Sequence, residues 1–315
     1  MEDRKTLAGL GRWRRLADYL TAASGLLKDN LLLAEPLRPE HLKDAPSGSF
    51  SDAPALNAVY AHLSRFARDH QRSVVLVQGL GHPSDAVPAN LWIEGTLGEF
   101  EPRYQRDHSG LTHLLSGFSW PSAFTAAPVG DRSDLALFYG MCAAREAAPA
   151  LVVCLVSDRA EQRLPEPDGD AWSQEAPWLV NDLLDGPADA RVLPIVAGRG
   201  DFERSGYEVL AVAAGMRFEA RFLAALEAAV RGLDEAGPRW PLIRLEFPPS
   251  LGMPDALKTD APAVALIESW LRSYRVKDLL DADGGPHQTI RALCPPASLR
   301  LGATLLETAR RLRGR

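Results

Sequence analysis

Asp158 closes the run Leu151-Val152-Val153-Cys154-Leu155-Val156-Ser157-Asp158, and a carboxylate delivered there is the first candidate for chemistry. Six consecutive apolar residues, rich in β-branched types and too short for an isolated helix, read as a strand buried on both faces at the centre of a parallel sheet. Asp158 then leaves that sheet at a carboxyl end, the edge where open α/β sheets bind ligands, and a carboxylate there can hold a metal ion or border a phosphate. The plainer alternative is an Asp that closes a strand-ending turn. His82 is a second candidate: Val74 to Val77 reads as a strand running through Gln78-Gly79-Leu80-Gly81 into a helix that should start near Ser84 or Asp85. Strand, glycine turn and helix is a phosphate-cradle layout, although any tight βα turn can use Gly-x-Gly and His82 could equally be a surface loop histidine. Arg199 occupies a comparable place in Gly198-Arg199-Gly200-Asp201, after the buried strand Val192 to Ala197. The acidic run Asp158, Glu161, Glu166, Asp168 and Asp170 is spaced irregularly across prolines and reads as a solvated loop, not a metal cage.

The elements that must position these residues follow from periodicity. Trp13, Leu16, Ala17, Leu20, Ala23 and Leu27 are spaced as one helix face over Arg12 to Leu27, and Pro36 and Pro39 make the next segment extended. Asp52-Ala53-Pro54 starts a helix through Leu56, Val59, Tyr60, Leu63 and Phe66, with Asp as cap and proline in the first turn. Tyr104 to Pro128, polar and bearing Gly, Pro and aromatic residues, is expected to form a long loop over the sheet edge. Helices are expected over Leu135 to Ala148, Phe218 to Leu233 (preceded by Tyr207 to Leu210), Ala263 to Arg272 and Leu299 to Leu312, and a further strand over Leu242 to Phe247. Strands alternating with helices imply an α/β fold, a doubly wound, mostly parallel sheet flanked by helices. One domain over 1–315 is expected, with 1–50 as a helix and extended arm and 299–315 as a C-terminal helix.

Composition narrows the function. An apolar content of 46% over 315 residues builds a sizeable core, and a net charge of -6 provides no basic field for nucleic acid. Cys142, Cys154 and Cys294 have no metal-ligand spacing and read as reduced residues of a cytoplasmic protein. The N-terminus leads into an amphipathic segment, so neither a signal peptide nor a membrane span is expected.

Several stretches resemble the N-terminal domain of bacterial phosphoketolases, thiamine-diphosphate enzymes that cleave sugar phosphates. They are Lys28-Asp29-Asn30, Glu35-Pro36-Leu37-Arg38-Pro39-Glu40-His41, Leu56-Asn57-Ala58-Val59-Tyr60-Ala61-His62-Leu63, Gly79-Leu80-Gly81-His82, Trp92-Ile93-Glu94-Gly95-Thr96, Val192-Leu193-Pro194-Ile195, Pro238-Arg239-Trp240-Pro241 and Trp270-Leu271-Arg272-Ser273-Tyr274-Arg275. They keep the family's order from about residue 15 to residue 302. The resemblance implies the diphosphate-side domain of the thiamine-diphosphate-binding fold. In that family a magnesium ion links the domain to the cofactor's diphosphate, held by the Asp of a Gly-Asp-Gly turn and an Asn after the next strand.

This chain departs from the family at the positions that carry chemistry. The turn reads Ser157-Asp158-Arg159, and the Asn position falls on or beside Arg199. Gly-His-Trp-Gly becomes Gly48-Ser49-Phe50-Ser51, His-Glu-Gly-Gly-Glu becomes approximately Gly130-Asp131-Arg132-Ser133-Asp134, and Pro-Lys-Gly-Trp becomes Pro248-Pro249-Ser250-Leu251. His82 is the matched imidazole that remains. The expectation is a domain that has lost thiamine diphosphate and magnesium and acts as a non-catalytic or regulatory subunit in carbohydrate-related metabolism, with His82, Asp158 and Arg199 as vestigial cofactor positions and no metal site. Its partner would be a separate chain carrying the pyrimidine-binding domain, or a second copy in a homodimer, since the sequence is expected to stop before that domain. The alternative is the diphosphate-side half of a split thiamine-diphosphate-dependent aldehyde-lyase, with thiamine diphosphate and magnesium as cofactors. A third is an emptied cleft in which Arg159, Arg199 and His82 receive another anion.

Overall fold

A computed structural model describes residues 4–44, 53–79, 86–118, 150–157, 192–198, 207–235, 240–247 and 261–303. In chain order the principal elements are α1 (Arg4–Leu26), α2 (Ala53–His70), β1 (Val74–Gly79), α3 (Ala86–Glu94), α4 (Thr96–Phe100), α5 (His108–Gly117), β2 (Leu151–Ser157), β3 (Val192–Ala197), β4 (Tyr207–Ala213), α6 (Phe218–Asp234), β5 (Trp240–Glu246), α7 (Ala261–Ser273) and α8 (Gln288–Arg291). The chain folds as two compact units, each discontinuous in sequence: a helical unit of 1–69, 83–126 and 249–315, and a sheet unit of 70–82 and 127–248.

In the sheet unit all five described strands run parallel in the order β1-β2-β3-β5-β4. Leu151 to Val156 are each at most 6% exposed, so both faces of β2 are covered, as a parallel α/β sheet requires. Among the described strands β3 holds the middle position and β2 lies between it and β1, which corrects the expectation of β2 at the centre. A strand unanticipated in the sequence, β4, pairs along β5 from Tyr207↔Trp240 to Ala213↔Glu246. It stands last in the sheet order and most of its residues are half-buried or exposed, so it lacks the continuous apolar run that marks an interior strand. The amphipathic α6 packs on β4 and β5 through Phe218, Phe222 and Leu226, and Phe218 also stacks edge-on against Phe247 at 5.4 Å.

The helical unit is built on α1, whose Leu10, Trp13, Leu16, Ala17 and Leu20 are fully buried. Helix α2 begins at Ala53 with Pro54 in its first turn, as its sequence dictates. Between α3 and α4 the chain turns at Gly95 with φ 94°, a left-handed conformation that favours glycine, and a Cβ there would also displace the end of the Arg106 side chain, 2.9 Å away. The loop expected over 104–128 is corrected at 108–117, where α5 forms. Asp107 caps α5 by accepting from the Gly110 amide at 2.8 Å, and Leu111, Leu114 and Leu115 fall on its buried face. Replacing Asp107 with Ala is expected to cost about 1 kcal/mol, measured by urea unfolding.

Past α1, an isolated bridge pairs Leu27 with Leu42, and the extended arm between them folds through a 3-10 turn at Pro39–His41. Glu268 of α7 accepts from the Leu37 amide at 3.1 Å, and Arg272 donates to the carbonyls of Leu33 and Glu35 at 3.4 and 3.1 Å. At the other end, Ala297–Leu299 is a 3-10 turn and the chain continues in a turn to 302. The start of the expected 299–315 helix is thus corrected, and 304–315 lies outside the described residues. The expected helix at 135–148 lies outside them as well.

Candidate functional site

The parallel register brings the carboxyl ends of the strands to one edge. Gly79 pairs with Val156, Ser157 with Ala197, Ala197 with Leu245, and Glu246 with Ala213. The pairing runs one residue further at Gly198, whose amide donates to the Leu245 carbonyl at 2.9 Å. Asp158 follows the last residue of β2, Arg199 comes two residues after the end of β3, and His82 three residues after the end of β1. Asp158, Arg199 and His82 themselves lie outside the described residues, as do Arg159, 48–51, 130–134 and 248–251.

The described part of this edge carries polar groups that were not singled out in the sequence. On β5, Arg244 bonds Glu246 at 3.0 Å, two residues along the same face. On β1, the Gln78 amide nitrogen is buried without a hydrogen-bond partner among the described residues. A polar residue at or next to the last position of a strand is the available signal, and Glu246 and Gln78 both satisfy it. Among the described residues no group of three or more His, Cys, Asp or Glu could hold a metal ion. Burial pushes the Cys154 thiol up to about 12, which keeps it protonated and inert.

The helical unit holds two buried polar constellations, both built on segments quoted above. In the first, Trp13 Nε1 donates to Asn90 Oδ1 at 3.0 Å, Asn90 Nδ2 donates to Asn57 Oδ1 at 2.6 Å, and Asn57 Nδ2 donates to Asp18 Oδ1 at 2.8 Å. Asn57 and Asn90 are fully buried, so this chain satisfies groups of α1, α2 and α3 that water cannot reach. In the second, the fully buried Glu94 accepts from the Thr96 hydroxyl at 2.6 Å and from the Gly302 amide at 3.0 Å. Burial raises its carboxyl to about 6, against the opposing pull of the Thr96 and Tyr60 hydroxyls, the Gly302 amide and the Arg300 charge. Tyr60 is near enough to act on this carboxyl, but the Tyr60 hydroxyl and Glu94 Oε2 are not in bonding geometry.

Two histidines of the quoted segments also have structural surroundings. His62 is fully buried, with Nδ1 2.7 Å from the Ala58 carbonyl, which can only accept. His41 Nδ1 accepts from the Arg38 amide at 3.2 Å, and its Nε2 lies 3.2 Å from Glu35 Oε1. The matched segments described in the helical unit thus pack and hydrogen-bond.

The relatives are consistent on the family. Probable phosphoketolases of Mesorhizobium japonicum and Streptomyces coelicolor are each 31% identical, over 96% and 95% of this chain and 44% of their own length. The probable phosphoketolase of Synechococcus elongatus is 29% identical over 94% of this chain and 44% of its own length. The chain therefore spans less than half the length of the curated relatives it matches. Among solved structures, a transketolase mutant from Pichia stipitis superposes with a TM-score of 0.44 at 13% identity, covering 99% of this chain and 48% of that one. The model of the XFP N-terminal domain matches residues 1–222, more than half of the chain, and the chain belongs to that family.

Proposed function

We propose that this chain is a phosphoketolase-like domain that has given up the magnesium-linked grip on thiamine diphosphate and works in the cytoplasm as a non-catalytic, regulatory subunit in carbohydrate-related metabolism. It would dock on a chain carrying the pyrimidine-binding domain or on a copy of itself. The observation that carries this reading is the Ser157↔Ala197 rung: β2 and β3 end side by side, and the residues that follow them in sequence are Asp158-Arg159 and Gly198-Arg199. A magnesium ion needs oxygen donors, and a guanidinium offers no lone pair. The pair of positions thus supplies one carboxylate, while Arg159 replaces a glycine whose bare backbone lets amides approach a phosphate. This donor set does not fit the cofactor's metal.

The test is calorimetric titration of the full chain with thiamine diphosphate in excess magnesium. No saturable heat is expected for the wild type, and restored magnesium-dependent binding for Arg159→Gly/Arg199→Asn. Saturable, magnesium-dependent binding by the wild type overturns the reading. It would favour the diphosphate-side half of a thiamine-dependent enzyme completed by another chain, a reading to which the retained Asp158 and His82 lend support.

A further inference from the structure

Helix α1 carries Arg4, Lys5, Arg12, Arg14 and Arg15 against one carboxylate, Asp18. Arg14 faces Asp18, which accounts for its charge. Arg12 and Arg15 are one helical turn apart and share a face. That helix packs against the 3-10 turn Val276–Leu279, which Arg275 introduces in a left-handed conformation with φ 54°. Asp278, a carboxylate that acts on Arg15 here, is already bonded to Arg275 at 2.7 Å. Arg12 donates to the Thr289 hydroxyl at 3.0 Å and has no ion pair among the described residues. Arg15 has neither a hydrogen-bond acceptor nor an ion pair among them, although its side chain is partly buried. Burial, then Arg12, Arg275 and Arg14, pull its pKa down, so the fold holds this cation where its neighbours repel it.

We propose that Arg12, Arg15 and Arg275 form a binding site for a compact, multiply charged phosphate group on the helical unit. Three guanidinium forks carried on two packed elements, close enough for Arg12 and Arg275 to act on the Arg15 charge, suit the closely spaced oxygens of a diphosphate, each fork able to bond two of them. An extended acidic peptide would instead need a longer basic stripe and would meet Asp278. A bound dianion would relieve the repulsion among the arginines and supply the acceptor that Arg15 lacks.

The test is calorimetric titration of the full chain with inorganic pyrophosphate without added metal, at fixed ionic strength. One saturable site is expected, weakened at least tenfold in Arg15→Gln and also weakened in Arg12→Gln, with both variants first checked for wild-type circular dichroism and melting. Arg12→Gln keeps the test decisive if Arg15→Gln fails to fold. Heat that vanishes once ionic strength is matched overturns the proposal, and so does a site unchanged in both variants. Pyrophosphate binding that survives Arg15→Gln but is lost in Arg199→Gln would move the anion to the sheet edge and equally overturn it. A poly-glutamate peptide binding more tightly than pyrophosphate would reject the ligand class. Because this titration contains neither thiamine nor magnesium, its failure is separable from that of the proposed function.

Discussion

Replacing Asn90 with Ala is expected to lower the unfolding free energy by about 4 kcal/mol, the sum of two orphaned buried groups and a small cavity. Asn90 is fully buried; it accepts from Trp13 Nε1 at 3.0 Å and donates to Asn57 Oδ1 at 2.6 Å. Truncation leaves the indole N–H and the Asn57 carbonyl oxygen without partners and out of reach of water, at roughly 1–3 kcal/mol each. A double-mutant cycle with Trp13→Phe isolates the first of these. Phenylalanine has no N–H to orphan, so the cost of Asn90→Ala should shrink by about 1–3 kcal/mol on that background. Equal costs on both backgrounds, measured by urea unfolding, would mean that the 3.0 Å contact contributes nothing to stability.

That network also marks the limit of what the residues reveal in linear order. Asn57 in Leu56-Asn57-Ala58-Val59 is a polar residue inside an apolar stretch, which signals burial with a partner but does not say which. Its partners Asp18 and Asn90 lie 39 and 33 positions away, on α1 and α3. The interior strands were legible because burial on both faces demands unbroken apolar runs, as in Leu151 to Val156 and Val192 to Val196. Strand β4 was not, because a strand at the end of the sheet order needs no such run. Helix α5 was missed for a different reason: its signal, Asp107 as cap with Leu111, Leu114 and Leu115 at helical spacing, sits among the Gly, Pro and aromatic residues of a segment that reads as loop. At the candidate site, the strands that precede His82, Asp158 and Arg199 were legible, and their shared edge follows from parallel pairing. The Arg244–Glu246 pair was not singled out, although the strand expected over Leu242 to Phe247 already puts the two residues on one face; alternation gives the shared face but not the ion pair.

Between pH 4.5 and 7.5 the helical unit is expected to lose stability as pH rises, with Glu94 as a principal cause. Burial raises its folded-state pKa to about 6 from an unfolded value near 4.5, so the native state binds the proton more tightly. The contribution is fully present below the unfolded value and is lost as pH rises through about 6, amounting to about 2 kcal/mol for this residue. Asp18, raised by burial to about 6, acts in the same direction, but it keeps some solvent exposure as a residue and so contributes less than its shift alone would give. Glu268 and Asp283 run the opposite way, the first lowered by its bond from Arg272 and the second by the Gly285 amide. Their stabilisation is present above their unfolded values and fades only as pH falls further, so it lies mostly outside this window. Glu94→Gln separates the two signs: the substituted amide keeps an acceptor for the Thr96 hydroxyl and the Gly302 amide and does not titrate. The variant should match the wild type near pH 4.5, exceed its stability by about 2 kcal/mol at pH 7.5 and show a flatter pH profile in urea unfolding. Parallel profiles for variant and wild type would mean that Glu94 titrates as an ordinary carboxylate and that its burial in the fold is relieved by something other than a proton.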